Sequence, residues 1–274
     1  MNLRATISAL AAIATLVATQ AWAINAPTPR ELQGVDVEER LGERLPLDLT
    51  FTRHDGETER VGDWFDGRRP VLITLNYYSC PMLCGLQLNA LHDSLTDLDW
   101  TAGENFRIVT ISVDPDETSE LANQKRDAYL DELGRGDDVD WSFYTGNQAE
   151  ITALADALGY RYHYVEETGE YAHPAVLMFA SPNGDIMRYI YGLTYETRDV
   201  RFALLEASQG RVGTTVDRLI LGCYIYDPNS GSYVQDAFMW MRIGATSGFV
   251  LLSGLLVALW RRERHRNVQE APRG

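Results

Sequence analysis

The chain is short of positive charge, of cysteine and of histidine. Its 274 residues carry 24 lysines and arginines against 39 aspartates and glutamates, a formal net charge of −15. So acidic a surface disfavours nucleic acid as a partner, because phosphate recognition needs a basic face; basic electron carriers and metal cations suit it better. Three cysteines are too few for the disulfide-dense scaffolds of small secreted domains. They cannot all pair within one chain, so one thiol is spare, metal-bound or joined elsewhere. Five histidines leave few imidazoles to weigh as ligands. No internal repeat or low-complexity tract is present.

Long uncharged runs are also scarce, and they lie near the two ends. Met1–Ala23 has Arg4, an apolar run from Ile7 to Ala18 and a small-x-small ending at Ala21-Trp-Ala23, the pattern of a secretory signal peptide cleaved after Ala23, with an uncleaved anchor as the alternative. Ile243 to Trp260 carries no charge and is followed by Arg261-Arg-Glu-Arg-His-Arg266. As a helix it spans roughly 27 Å, enough for a hydrocarbon core, and the arginines are expected to stay cytoplasmic. The organisation predicted is therefore a leader (1–23), a proline-containing linker (24–40), a main domain (41–211), a turn-rich connector (212–242), a single membrane span (243–260) and a cytoplasmic tail (261–274). The bulk of the chain is expected outside the cytoplasmic membrane, in the periplasm or an equivalent oxidising space.

Within the main domain, Leu45–Phe51 and Arg60–Phe65 flank a His54-Asp-Gly56 turn signal and suggest a leading hairpin. Strands are predicted at Val71–Leu75, Phe106–Val113 and Trp141–Tyr144. Helices are predicted from Leu86 to Leu98, from Thr118 to Leu133 with Gly134 as its stop, and from the Asn147 cap to Leu158 before Gly159. Arg161–Val165 reads as one extended segment. Ala175–Ala180 and Ile186–Tyr191 form a hairpin across Ser181-Pro-Asn-Gly184, and Arg198–Ala207 is a last helix. Strands alternating with helices before a terminal hairpin imply an α/β sandwich with a mixed sheet.

Chemistry concentrates at Cys80-Pro-Met-Leu-Cys84, at the junction between the Val71–Leu75 strand and the Leu86–Leu98 helix. Pro81 suits the first helical position, which makes Cys80 the N-cap and puts Cys84 one turn in on the same side. Unpaired N–H groups and the dipole at a helix start favour thiolate. Two such thiols can close a disulfide or grip a soft metal. Among the histidines, His92 lies about 12 Å along the helix from Cys84, out of reach of a metal at the helix start. His54 falls in a turn, His163 in a tyrosine-rich strand and His265 in the tail. Asp114 is expected to form a turn or cap.

The order strand, aromatic pair, Cys-Pro-x-x-Cys, helix, Ser112-Val-Asp-Pro115 and a later histidine before an apolar strand resembles the Sco/SenC family. The likeness runs roughly from Leu41 to Arg211. It is strongest to a branch with Cys-Pro-Met-Leu-Cys, Tyr-Ala-His-Pro and Cys-Tyr-x-Tyr-Asp-Pro before a C-terminal membrane helix. The resemblance implies a thioredoxin-like fold, a mixed central sheet flanked by helices, in a membrane-tethered copper chaperone for cytochrome c oxidase. It implies copper held by Cys80, Cys84 and His173, with Cys80 and Cys84 also forming a redox-active disulfide. The implied partners are a copper donor protein and the oxidase subunit that carries the dinuclear copper site. Two thiolates suit Cu(I), and an added imidazole suits Cu(II) as well. Thioredoxin folds often place a cis proline beside their cysteines, so a cis bond is expected at Pro174. The chain departs from the family in its C-terminal anchor, in Gly85 where a proline follows the second cysteine, and in Cys223, which is expected outside the copper site. A thiol–disulfide oxidoreductase, with Cys80 attacking and Cys84 resolving, is the competing enzymatic reading. A copper or redox sensor and a peroxiredoxin are weaker ones, the last because Tyr77 stands where that pattern needs threonine.

Overall fold

The computed structural model describes residues 34–79, 83–135, 139–209, 224–227, 232–235, 241, 244–255 and 257–259. In chain order these form β1 (Asp36–Val37), β2 (Thr50–Arg53), β3 (Thr58–Arg60), a 3-10 turn (Val61–Trp64), β4 (Val71–Asn76), α1 (Leu83–Asp97) and β5 (Arg107–Ser112). Then come α2 (Ser119–Leu133), β6 (Trp141–Thr145), α3 (Gln148–Ala157), β7 (Tyr160–Arg161), β8 (His163–Val165), β9 (Glu170–Ala172), β10 (Val176–Ala180) and β11 (Ile186–Tyr191). Finally α4 (Thr197–Ala207) is followed by β12 (Tyr224–Asp227) and β13 (Ser232–Gln235).

Seven strands make one mixed sheet in the order β11-β10-β4-β5-β6-β2-β3. The β4–β5 and β5–β6 pairs are parallel and the rest antiparallel. All six residues of β4 are buried, because both faces of the sheet are covered and a strand so placed reads as an unbroken apolar run. Alternation then divides the core in two. Leu72, Ile108, Leu177 and Phe179 face α1, α2 and α4, where Leu88, Leu91 and Leu95 supply the predicted apolar stripe. Val71, Ile73, Leu75, Val109, Ile111 and Met178 face Ile151 and Leu154 of α3, together with Phe51 and Trp64. The architecture is the mixed α/β sandwich expected from the alternation of elements.

Helix ends follow their capping residues. The Thr118 hydroxyl accepts from the Leu121 N–H, Gly134 closes α2 at φ 63°, and the Asn147 side chain accepts from Ala149 and Glu150. Elsewhere the chain differs from its sequence reading. The return limb of the leading hairpin is a strand only over Thr58–Arg60. It then tightens into a 3-10 turn, since the Asp63 carboxylate accepts from the Arg60 N–H at 3.0 Å. The predicted extended segment 161–165 breaks at Tyr162, and its two parts join different sheets, β1–β7 and β8–β9. Asp36–Val37, read as spacer, pairs with Tyr160–Arg161. The turn-rich connector contains the β12–β13 hairpin, whose Tyr233 is buried against α4.

The leader lies outside the described residues, as does Cys223. The candidate spanning segment is described in part: residues 244–255 and 257–259 are helical, with Phe249, Val250 and Leu251 exposed. Among the described residues no helix is long and apolar enough to cross a membrane.

Gly159 joins α3 to β7 at φ +63°, and a Cβ there would overlap the Glu38 carbonyl oxygen, which accepts no side chain so close. The Glu38 N–H donates to the Gly159 carbonyl at 2.8 Å, so the β1–β7 pairing depends on this approach. Gly159→Ala is expected to cost about 2–3 kcal/mol, measured by thermal denaturation; an unchanged melting temperature would refute the tight contact.

Candidate metal and thiol site

Two of the three expected ligands, Cys80 and Cys84, follow β4 in the chain. Cys80 lies outside the described residues, and Cys84 is described only as backbone in the first turn of α1. What is visible is how firmly the approach to Cys80 is held. Tyr78 is buried, and its hydroxyl donates to the Tyr144 carbonyl at 2.7 Å and accepts from the Tyr144 N–H at 3.1 Å. The Tyr78 and Ser79 N–H groups donate to the Glu117 carboxylate at 2.8 and 2.7 Å, joined by the Ser79 hydroxyl at 2.8 Å and the Ser112 hydroxyl at 2.6 Å. Bonds to an ionised acceptor are the stronger kind, so one carboxylate fastens the thiol-bearing loop to the end of β5.

His173 lies between β9 and β10 with only 3% of its surface exposed. Its Nδ1 is 2.9 Å from the Tyr160 hydroxyl and 3.2 Å from the Pro174 carbonyl. The same hydroxyl lies 3.1 Å from the Leu75 carbonyl and 3.0 Å from the Pro174 carbonyl. A phenol has one proton to give, and two of its neighbours are pure acceptors. The network closes best when Nδ1 carries its hydrogen and the tyrosine donates to a carbonyl. That tautomer puts the lone pair on Nε2, as a ligating imidazole oriented by its other nitrogen requires. Burial holds the imidazole pKa below its ordinary value, against the opposing hydrogen bond to Pro174, which keeps the ring neutral. Tyr77, three residues before Cys80, meets His173 edge-on at 6.0 Å between centroids, and Tyr171 meets Tyr77 at 5.6 Å. Thus Tyr77, at the β4 end that leads to Cys80, meets the histidine, and an oriented imidazole is the kind of donor that, with thiolates, suits a soft metal.

The other histidines are placed elsewhere. His92 packs against Tyr129 of α2, and the His54 Nδ1 accepts from the Phe143 N–H at 3.4 Å. His163 lies on β8, and His265 is outside the described residues. The Asp114 carboxylate accepts from the Asp116 N–H at 2.9 Å, the turn expected of it. Among the described residues no group of three or more His, Cys, Asp or Glu side chains is arranged to hold a metal. One expectation is corrected: no peptide bond among the described residues is cis, that of Pro174 included. In the trans chain the Pro174 carbonyl turns to the Tyr160 hydroxyl. Sequence reasoning also missed Glu117, Tyr160 and Gln87. Glu117 had a usable signal, a carboxylate just after the Asp114-Pro115 turn; the other two are ordinary residues in a strand and a helix.

The mixed sheet, its flanking helices and a helix that starts at the thiol pair define a thioredoxin-like protein. A SCO1/SenC family model matches residues 38–204, and the chain belongs to that family. No curated protein matches it in sequence. A protein of Aquifex aeolicus VF5, provisionally assigned to electron transfer, is 25% identical, with a TM-score of 0.54 over 62% of this chain and 95% of its own. A second Aquifex aeolicus VF5 structure, provisionally assigned to electron transport, is 25% identical at a TM-score of 0.51, covering 62% and 99%. ScoI of Bradyrhizobium japonicum, a structure with copper bound, is 20% identical at a TM-score of 0.44, covering 62% and 98%.

Glu117→Ala should loosen the loop before Cys80 while leaving the sheet intact. The expected loss is about 1–3 kcal/mol, with faster hydrogen exchange at the Tyr78 and Ser79 amides. Unaltered exchange at those two amides would show that the carboxylate does not hold the loop.

Proposed function

We propose that this protein is a membrane-tethered copper chaperone that helps assemble the copper site of cytochrome c oxidase. Cys80 and Cys84 supply thiolates and His173 an imidazole. The partners are a copper donor and the oxidase subunit that receives the metal. The reading rests chiefly on His173, a buried, neutral imidazole whose Nδ1 is engaged by Tyr160. A side chain so oriented is poised to ligate through Nε2. Copper is cargo here, and the chain's own part is to hold the ligands apart from bulk water while leaving them able to release the ion. The acidic exterior favours cationic partners.

A second reading has Cys80 and Cys84 reducing the cysteines of the oxidase subunit. It draws support from the helix start at Leu83, whose dipole stabilises a thiolate in the first turn. Thiol exchange needs both cysteines and does not need the histidine as a ligand. His173→Ala therefore separates the two. For the chaperone, Cu(I) binding should fall only partly, Cu(II) binding should fall much more, and oxidase copper should drop in cells at limiting copper. Normal oxidase assembly by a His173→Ala variant that holds no copper would leave the dithiol as the working part.

The tether is assigned to residues 243–260, with the thioredoxin-like domain outside the cytoplasmic membrane. The uncharged run and the arginine stop after it support that orientation. Protease added to intact spheroplasts should digest the domain, and full protection would reverse the assignment.

A further inference from the structure

Strand β10 leaves β4 just before it reaches His173. The two pair through Met178↔Ile73, Phe179↔Leu72 and Ala180↔Val71, and no register is kept beyond Ile73 towards the site. In the gap stands the Gln87 side chain from α1. Its Nε2 donates to the Val176 carbonyl at 2.9 Å, and its Oε1 accepts from the Asn76 Nδ2 at 3.0 Å. All three residues are buried. The carbonyl fixes which way the amide faces, because only the nitrogen end can donate to it. Asn76 must then turn its own nitrogen to Gln87, and its Oδ1 is left buried with no hydrogen-bond partner. Two adjacent buried amides held this way have one arrangement, and rotating either breaks a bond.

The places of these residues in the chain give the relay its meaning. Asn76 ends the strand that leads to Cys80. Gln87 lies one turn beyond Cys84 on the same side of α1, and Val176 lies three residues after His173. One amide thus joins the three segments that carry the three expected ligands. From α1, whose first turn includes Cys84, to the His173 segment the structure crosses from helix to strand, and Gln87 spans that crossing.

We propose that Gln87 is a positioning residue that fixes the separation of α1 from the His173 segment and thereby sets the preference for Cu(II) over Cu(I). Cu(I) is satisfied by two thiolates, whereas Cu(II) draws on the imidazole. A relaxed helix-to-strand distance penalises the ion that needs ligands from both sides. The inference rests on the copper reading above.

The test compares the wild-type protein with Gln87→Met, Asn76→Ala and His173→Ala, titrated with Cu(I) under reducing conditions and with Cu(II). Gln87→Met keeps the volume and loses the amide. It should weaken Cu(II) about 10–100-fold, as loss of a supporting hydrogen bond does at metal sites, and alter the thiolate-to-Cu(II) absorption band. Cu(I) affinity and the dithiol–disulfide midpoint potential should stay near wild type. Asn76→Ala leaves the Gln87–Val176 bond in place, so it should lower the melting temperature without changing the Cu(II)-to-Cu(I) ratio. If Gln87→Met is poorly folded, Gln87→Asn, one methylene too short to span the gap, is read in the same way. Equal weakening of both ions by Gln87→Met, or an unchanged ratio, would mean that the relay serves stability alone. A wild-type protein that binds neither ion, or a His173→Ala variant with undiminished Cu(II) affinity, overturns the copper reading and this inference with it.

Discussion

A buried carbonyl that loses its strand partner must find another donor, and this requirement shapes the whole site. Where β10 leaves β4, the ladder can no longer satisfy the Leu75, Pro174 and Val176 carbonyls along the opening. Leaving such groups unmet costs about 1–3 kcal/mol apiece. Two side chains from outside the ladder supply what is missing. Tyr160, brought in by β7, has one proton for the Leu75 and Pro174 carbonyls, with the His173 Nδ1 also 3.2 Å from Pro174, and Gln87, brought in by α1, donates to Val176. The parting makes room for a histidine, and the replacement donors hold it there. Removing the parting would restore the ladder and close the place where His173 sits.

The surroundings of His173 come from a part of the chain that stands apart from the main sheet. β8 and β9 form their own pair, and Tyr162, Tyr164 and Tyr171 gather on it in ring contacts of 5.1 to 6.0 Å. Tyr171 links this cluster to Tyr77, so the aromatic shell runs from the end of β4 to an exposed ring at Tyr164. Burial, with the Asp114 charge nearby, pushes the Tyr171 phenol up to about 12, and it stays neutral at physiological pH. A neutral tyrosine wall adds no charge beside His173, which suits the copper site proposed above.

Much of the scaffold was legible because its causes are local. The buried run Val71–Leu75, the leucines of α1, the Asn147 cap and the Gly134 stop each declare an element within a few residues, and each element formed. The thiol pair stood out from its place between a buried strand and a helix, and His173 from resemblance to the Sco/SenC family, to which the chain belongs. What escaped the sequence depends on distant residues. Nothing near Gln87 announces Val176, 89 residues away. Tyr160 looked like one more residue after a helix stop, and Asp36–Val37 looked like linker until Tyr160–Arg161 gave it a partner. The trans Pro174 belongs with these, its carbonyl lying against a phenol fourteen positions earlier.

The hairpin β12–β13 bears on how far the domain could move. Tyr233 is buried against Phe202, its N–H donates to Asp199 at 3.3 Å and its hydroxyl donates to Glu206 at 2.7 Å. Arg188 and Arg198 lie over the rings of Tyr233 and Tyr224. The chain between α4 and β12 is therefore fastened to one body at both ends. A leash is only as long as its unattached part. For the tether proposed above, the reach beyond the β12–β13 hairpin is set by the residues after Gln235. A short leash confines its load to a small volume and raises the frequency of encounter with any partner anchored alongside, while partners beyond that radius are out of range.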